Sequence, residues 1–148
     1  MLFRSEIKSL YELDEYARLF IGDLKKQPAH ATIIGLSGEL GAGKTAFTKA
    51  LAKILGIDED VSSPTFVIAK FYELKDRRWN RLVHIDAYRI EHPDELRALR
   101  FSELINDSCN LIVIEWPELM KDAFPKDALV LQFKFITDTV RSITNPHE

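Results

Sequence analysis

The sequence predicts an α/β fold, a mixed β-sheet with flanking helices, in a single domain spanning residues 1–148. Three observations predict it. The apolar run 31–36 stops at a glycine-rich loop, and a helical pattern starts at Lys44 directly after it. The run 111–114 is wholly apolar and suits a strand buried on both faces, as parallel pairing requires. Two pairs of alternating stretches, 66–74 with 81–88 and 128–136 with 139–144, suit antiparallel hairpins, so the sheet is mixed.

Each element has a local reason. Ser9 and Glu12 have capping-box spacing, and Leu10, Leu13, Ala17, Phe20, Ile21 and Leu24 follow at helical intervals, which predicts a first amphipathic helix. It ends in the polar stretch 25–30. Ile33 and Ile34 anchor the next strand, which runs to Gly38. The helix from Lys44 to Leu55 stops before Gly56, a residue suited to a C-terminal cap. After the turn residues Ser62, Ser63 and Pro64, the first hairpin is joined by the polar link 75–80. Residues 93–105 read as one helix with Pro93 near its first turn, and the second hairpin turns near Thr137 and Asp138.

Composition narrows the function. With 148 residues, 46% of them hydrophobic, one continuous core is feasible. A net charge of -3 argues against duplex nucleic acid as the main partner, because neutralising phosphates takes a basic surface. Contact with a folded RNA through a local patch stays open. Cys109 is the single cysteine, so no intramolecular disulfide or cysteine-built zinc site can form, and His30, His92 and His147 lack metal-ligand spacing. Arg4, Glu6 and Lys8 interrupt the first residues, and no stretch approaches the roughly 20 apolar residues that span a bilayer. A cytoplasmic protein without membrane contact is expected.

Gly38, Glu39, Leu40, Gly41, Ala42, Gly43, Lys44 and Thr45 form a G-x-x-x-x-G-K-[ST] loop, the Walker A or P-loop pattern. Its glycines let backbone N–H groups curl around phosphate oxygens, the lysine reaches the terminal phosphates, and the hydroxyl binds magnesium. Chance produces the pattern in on the order of one in two hundred chains of this length. Its context, a strand before and a helix N-terminus at the lysine, favours a phosphate site over a glycine-rich turn with a solvated lysine. The expected ligands are ATP or ADP with Mg2+.

Such a site also needs a carboxylate near the magnesium, at the carboxyl end of an apolar strand. Asp86 and Glu115 both qualify. Alternation puts His84, Asp86 and Tyr88 on one strand face, with Val83 and Ile85 packing elsewhere. Taken alone, either acid is as well explained as a residue entering solvent where a strand ends. Two of them beside the loop favour function. Thr65 suits a switch hydroxyl sensing the γ-phosphate, although a turn residue opening the next strand explains it more simply. Trp116 is read as core packing or as a platform for nucleotide or partner.

Together the loop, Ser63-Pro64-Thr65-Phe66, His84-Ile85-Asp86-Ala87-Tyr88-Arg89 and Ile114-Glu115-Trp116-Pro117 resemble the TsaE family over nearly the whole chain. That resemblance implies a bacterial P-loop ATPase of tRNA threonylcarbamoyladenosine synthesis. It implies the partners TsaD and TsaB, in whose complex TsaD modifies adenosine 37, so that tRNA is involved only indirectly. By the family pattern Thr45 and Glu115 bind magnesium, Lys44 holds the phosphates, and Asp86 acts on the attacking water. Thr65 falls in the switch-like loop. Family members often carry a threonine in the first helix near the nucleotide; this chain has Glu12 there, and no adenine contact is assigned.

Three other functions compete with this one. A small metabolite or nucleoside kinase shares the loop but usually adds an arginine-bearing lid, and Arg141 is the only arginine beyond Arg100. A GTPase lacks its N-K-x-D segment here. A nucleotide-gated scaffold with little hydrolysis is compatible with these residues.

Overall fold

The computed structural model describes residues 3–59, 61 and 68–145. The first strand, β1 (Phe3–Ile7), leads into helix α1 (Leu10–Asp23). Ser9 is extended, and its hydroxyl accepts the Glu12 N–H at 3.1 Å, as the capping-box spacing predicts. The buried face of α1 is Leu13, Ala17, Phe20 and Ile21. At its other end Arg78 donates to the carbonyls of Ile21 and Leu24 at 2.6 and 3.0 Å, satisfying acceptors that a helix terminus leaves open.

Strand β2 (Thr32–Ser37) and helix α2 (Lys44–Ile54) flank the glycine loop. Gly56, at φ +85, ends that helical stretch as expected. Strands β3 (Ala69–Glu73) and β4 (Arg81–Asp86) form the expected antiparallel pair, and β5 (Asn110–Glu115) is buried throughout. Strands β6 (Leu129–Phe135) and β7 (Arg141–Asn145) form the second hairpin, turning at 137–140. The sheet has seven strands in the order β1-β7-β6-β2-β5-β4-β3. Its middle is parallel (β6, β2, β5, β4) and its margins antiparallel, so the mixed sheet with flanking helices is borne out.

Alternation along the strands divides the core into two layers. Ile34, Leu36, Leu82, Leu111, Val113 and Leu131 pack with α1 and α2, where Phe20, Phe47 and Phe133 meet edge to face. Ile33, Val83, Ile85, Ile112 and Ile114 pack on the other side with Phe101, Leu104 and Met120.

Two expectations are corrected. Residues 93–105 are two short helices, α3 (Asp94–Ala98) and α4 (Phe101–Ile105), because Arg100 is left-handed at φ 58 and reverses the chain between them. The strand after Arg81 stops at Asp86, whose carboxylate accepts the Tyr88 N–H at 3.1 Å and starts a 3-10 turn over Ala87–Arg89. Tyr88 is therefore off the strand face assigned to it. Local pattern carries no signal for β1, which pairs with β7 from Phe3 opposite Asn145 to Ile7 opposite Arg141. Among the described residues, no helix is long and apolar enough to cross a membrane.

Candidate functional site

The loop leaves β2 where the parallel strands end, the usual place for ligands in an α/β sheet. Gly38 has a physical reason to be glycine. Its φ is +146, and a Cβ there would lie 2.4 Å from the Phe133 carbonyl oxygen of β6. Gly43 caps α2 at φ 104, turning the chain so that Lys44 and Thr45 occupy the first helical turn. Ala42 is buried, while the Glu39 and Leu40 side chains and Gly41 face solvent, so Glu39 and Gly41 offer backbone groups only.

Lys44 is 5% exposed and donates to the Gly38 carbonyl. Its ammonium lies 3.4 Å from the centroid of the Trp116 ring. Trp116 itself is held at φ 62, ψ 49, and Tyr88 packs on it with ring centroids 5.5 Å apart. A left-handed tryptophan is uncommon, and such strain gathers at functional sites. The packing reading of Trp116 is thus incomplete: its ring forms a wall of the site.

The two acids come together because β4 and β5 are parallel neighbours with Asp86 opposite Glu115. Glu115 Oε1 accepts the Thr45 hydroxyl at 3.3 Å, and its Oε2 accepts from His84 Nε2 at 2.6 Å. Burial alone would raise the Glu115 pKa, but the hydrogen bond and charge of His84, then Thr45 and Lys44, outweigh it and hold the carboxyl below its ordinary value. Asp86 goes the other way. Burial pushes it up and Glu115 adds to the rise, against the Tyr88 N–H, Arg89 and His84. Burial likewise lowers Lys44, against the pull of Glu115, Glu118 and Asp86. Adjacent carboxyls with pKa values pushed apart can divide two tasks, one staying anionic and the other handling a proton.

A cavity of about 740 Å³ joins these groups, lined by the loop from Leu40 to Ala46, Asp86, Glu115 and Trp116. Residues 8–10 at the start of α1 close one side, and Arg141 with Asp138 and Thr139 closes another. Arg89 lines it too, 3.6 Å from the Asp86 carboxylate. Glu12 is absent from the lining; its backbone N–H donates to the Ser9 hydroxyl. Thr65 and its neighbours Ser62 to Phe66 lie outside the described residues.

Sequence reasoning missed two contributors. Alternation puts His84 on a strand face and says no more, yet in the fold it holds Glu115. Arg141 stands out in the sequence only as the lone arginine beyond Arg100, yet its guanidinium donates to the Gly41 carbonyl at 2.9 Å and to that of Thr137 at 2.6 Å, bracing the loop against the last hairpin. Spacing along the chain carries no signal for either contact.

Comparison with known proteins places the chain in one family. The family model described as "Threonylcarbamoyl adenosine biosynthesis protein TsaE" matches residues 7–143. A tRNA threonylcarbamoyladenosine biosynthesis protein TsaE from Rickettsia prowazekii is 35% identical over 136 residues, covering 91% of this chain and 88% of its own. The protein of that name from Streptomyces coelicolor is 42% identical over 118 residues, 76% of this chain and 77% of its own. Among solved structures, the crystal structure of YdiB from Bacillus subtilis superposes with a TM-score of 0.71 at 28% identity, covering 98% of this chain and 84% of that one. With a family match spanning both flanks of the loop and both acid-bearing strands, the chain belongs to the TsaE family of threonylcarbamoyl adenosine biosynthesis proteins.

Proposed function

We propose that this chain is a magnesium-dependent ATP hydrolase that supports tRNA N6-threonylcarbamoyladenosine formation as the accessory subunit of a TsaB–TsaD complex, in the cytoplasm. The observation that carries the reading is the convergence of the glycine loop, the Thr45–Glu115 pair and Asp86 on one cavity. Its volume lies within the usual range of about 300–1,000 Å³ for small-molecule sites.

The donor set fits magnesium. Among the described residues no group of three or more His, Cys, Asp or Glu is arranged to cage a metal ion. Magnesium seldom needs one, since it is commonly held by one or two protein oxygens together with phosphates and water. Thr45 Oγ1 and Glu115 Oε1 would supply those oxygens, and the bound ion would neutralise charge on the β- and γ-phosphates. ATP and ADP phosphates would lie at the α2 N-terminus, against the loop N–H groups from Gly41 to Thr45. Lys44, now bonded to the Gly38 carbonyl and stacked on Trp116, would exchange these contacts for phosphate oxygens. Asp86 would orient the attacking water and accept its proton, a role suited to a carboxyl whose pKa burial has raised. Thr65 is assigned its switch role on family resemblance.

The test is phosphate release by the chain alone, with TsaB and TsaD together, and by a Thr65→Ala variant in both conditions. Partners that supply a missing arginine or order a switch segment accelerate other P-loop proteins by about 10³–10⁵. Marked acceleration is expected here. None would reject a complex-gated ATPase and leave a nucleotide-gated scaffold; equal acceleration of Thr65→Ala would remove that residue from the mechanism.

A further inference from the structure

We propose that His84 is a positioning residue that sets the Glu115 carboxylate for the cation; the inference rests on the reading of Glu115 as a magnesium ligand. His84 lies in the middle of β4 and is 0% exposed. Its strand face carries Leu82 on one side, and its partner across the ladder is Val113, both members of the apolar layer beneath α1 and α2. An aliphatic side chain would fill such a place without the cost of burying a polar ring. What the imidazole adds is a directed hydrogen bond.

That bond has one possible sense. An ionised carboxylate only accepts, so Nε2 carries the proton and donates it to Glu115 Oε2 at 2.6 Å. The bond runs diagonally across the β4–β5 ladder, since Glu115 lies opposite Asp86 and His84 opposite Val113. It engages Oε2 while Oε1 faces the Thr45 hydroxyl at 3.3 Å. Of the several rotamers open to a glutamate, the bond selects the one in which Oε1 and Oγ1 point to the same place. Partners of this kind behind a ligating carboxylate commonly contribute about 10–100-fold in metal affinity.

The measurement is the magnesium concentration at half-maximal enhancement of binding of N-methylanthraniloyl-ADP, with affinity in EDTA as the metal-free reference. His84→Gln can place an amide N–H near the Nε2 position, whereas the shorter His84→Asn reaches only the Nδ1 position. His84→Asn should raise the magnesium midpoint by about 10–100-fold and His84→Gln by about threefold or less, with metal-free affinity unchanged in both. His84→Asn leaves the larger void, so packing loss is read separately: it would lower the metal-free affinity as well, whereas loss of the hydrogen bond moves the magnesium midpoint alone. Equal midpoints for the two variants, whether parental or impaired, would overturn the proposal. Glu115→Gln separates it from the parent reading. A parental midpoint for Glu115→Gln would remove Glu115 as a ligand and the inference with it, while a raised midpoint there beside parental His84 variants would sink the inference alone.

Discussion

Replacing Gly38 by alanine tests why the loop leaves β2 as it does. Two separable costs arise. Holding a non-glycine residue at φ +146 costs about 1–3 kcal/mol. The new Cβ would also lie 2.4 Å from the Phe133 carbonyl oxygen and 3.0 Å from its Cβ, so β6 or the loop must move, at roughly 1–3 kcal/mol more. The sum, about 2–6 kcal/mol, is a large part of the 5–15 kcal/mol typical of a folded domain. Gly41→Ala is the internal control. Gly41 has φ +78 with nothing within 4 Å of an added Cβ, so only the backbone cost of about 1–2 kcal/mol applies. Urea unfolding followed by circular dichroism reads the difference. With a slope of about 2 kcal/mol per molar, Gly38→Ala should lower the midpoint by about 1–3 M and Gly41→Ala by under about 1 M. Equal midpoints would show that the approach of the loop to β6 is not what requires glycine at Gly38.

Three further outcomes are expected. Lys44→Ala removes a cation that meets phosphates in ground and transition state alike, so ADP affinity in calorimetry should fall by about 10–100-fold. Asp86→Asn should leave affinity within about threefold while abolishing hydrolysis, and turnover at the parental rate would refute the role given to Asp86. In the link between β3 and β4, Asp76 is held below its usual 3.8: burial opposes this, but the hydrogen bonds and charge of Arg78 and the Trp79 N–H prevail. A depressed carboxyl stabilises the fold above its unfolded pKa and loses that contribution as pH falls through the folded value. Asp76→Asn should therefore lower the melting temperature at pH 7, and the gap from the parent should narrow as pH falls below 3.8 and close only below the lowered folded value. A gap independent of pH would assign the effect to the hydrogen bonds alone.

Local chemistry made much of this protein legible in its sequence. The path from β2 through Gly38–Thr45 into α2 is written in neighbouring residues: an apolar run, glycines where φ is positive, and a helical period starting at Lys44. The Ser9 cap, the Gly56 stop and both hairpins are local in the same sense. Alternation also separated His84 and Asp86 from Val83 and Ile85 correctly. What alternation cannot say is which strand lies beside which. Periodicity fixes the face a residue occupies, whereas its neighbours depend on crossovers tens of residues long. Tertiary structure alone therefore set Asp86 opposite Glu115, brought His84 onto that carboxylate and laid Arg141 against Gly41. It also made β1 a strand, since those five residues gain a ladder only once β7 offers its edge. The left-handed turns at Arg100 and Trp116 belong to the same class: neither residue favours that conformation, and packing around it imposes what local preference would refuse.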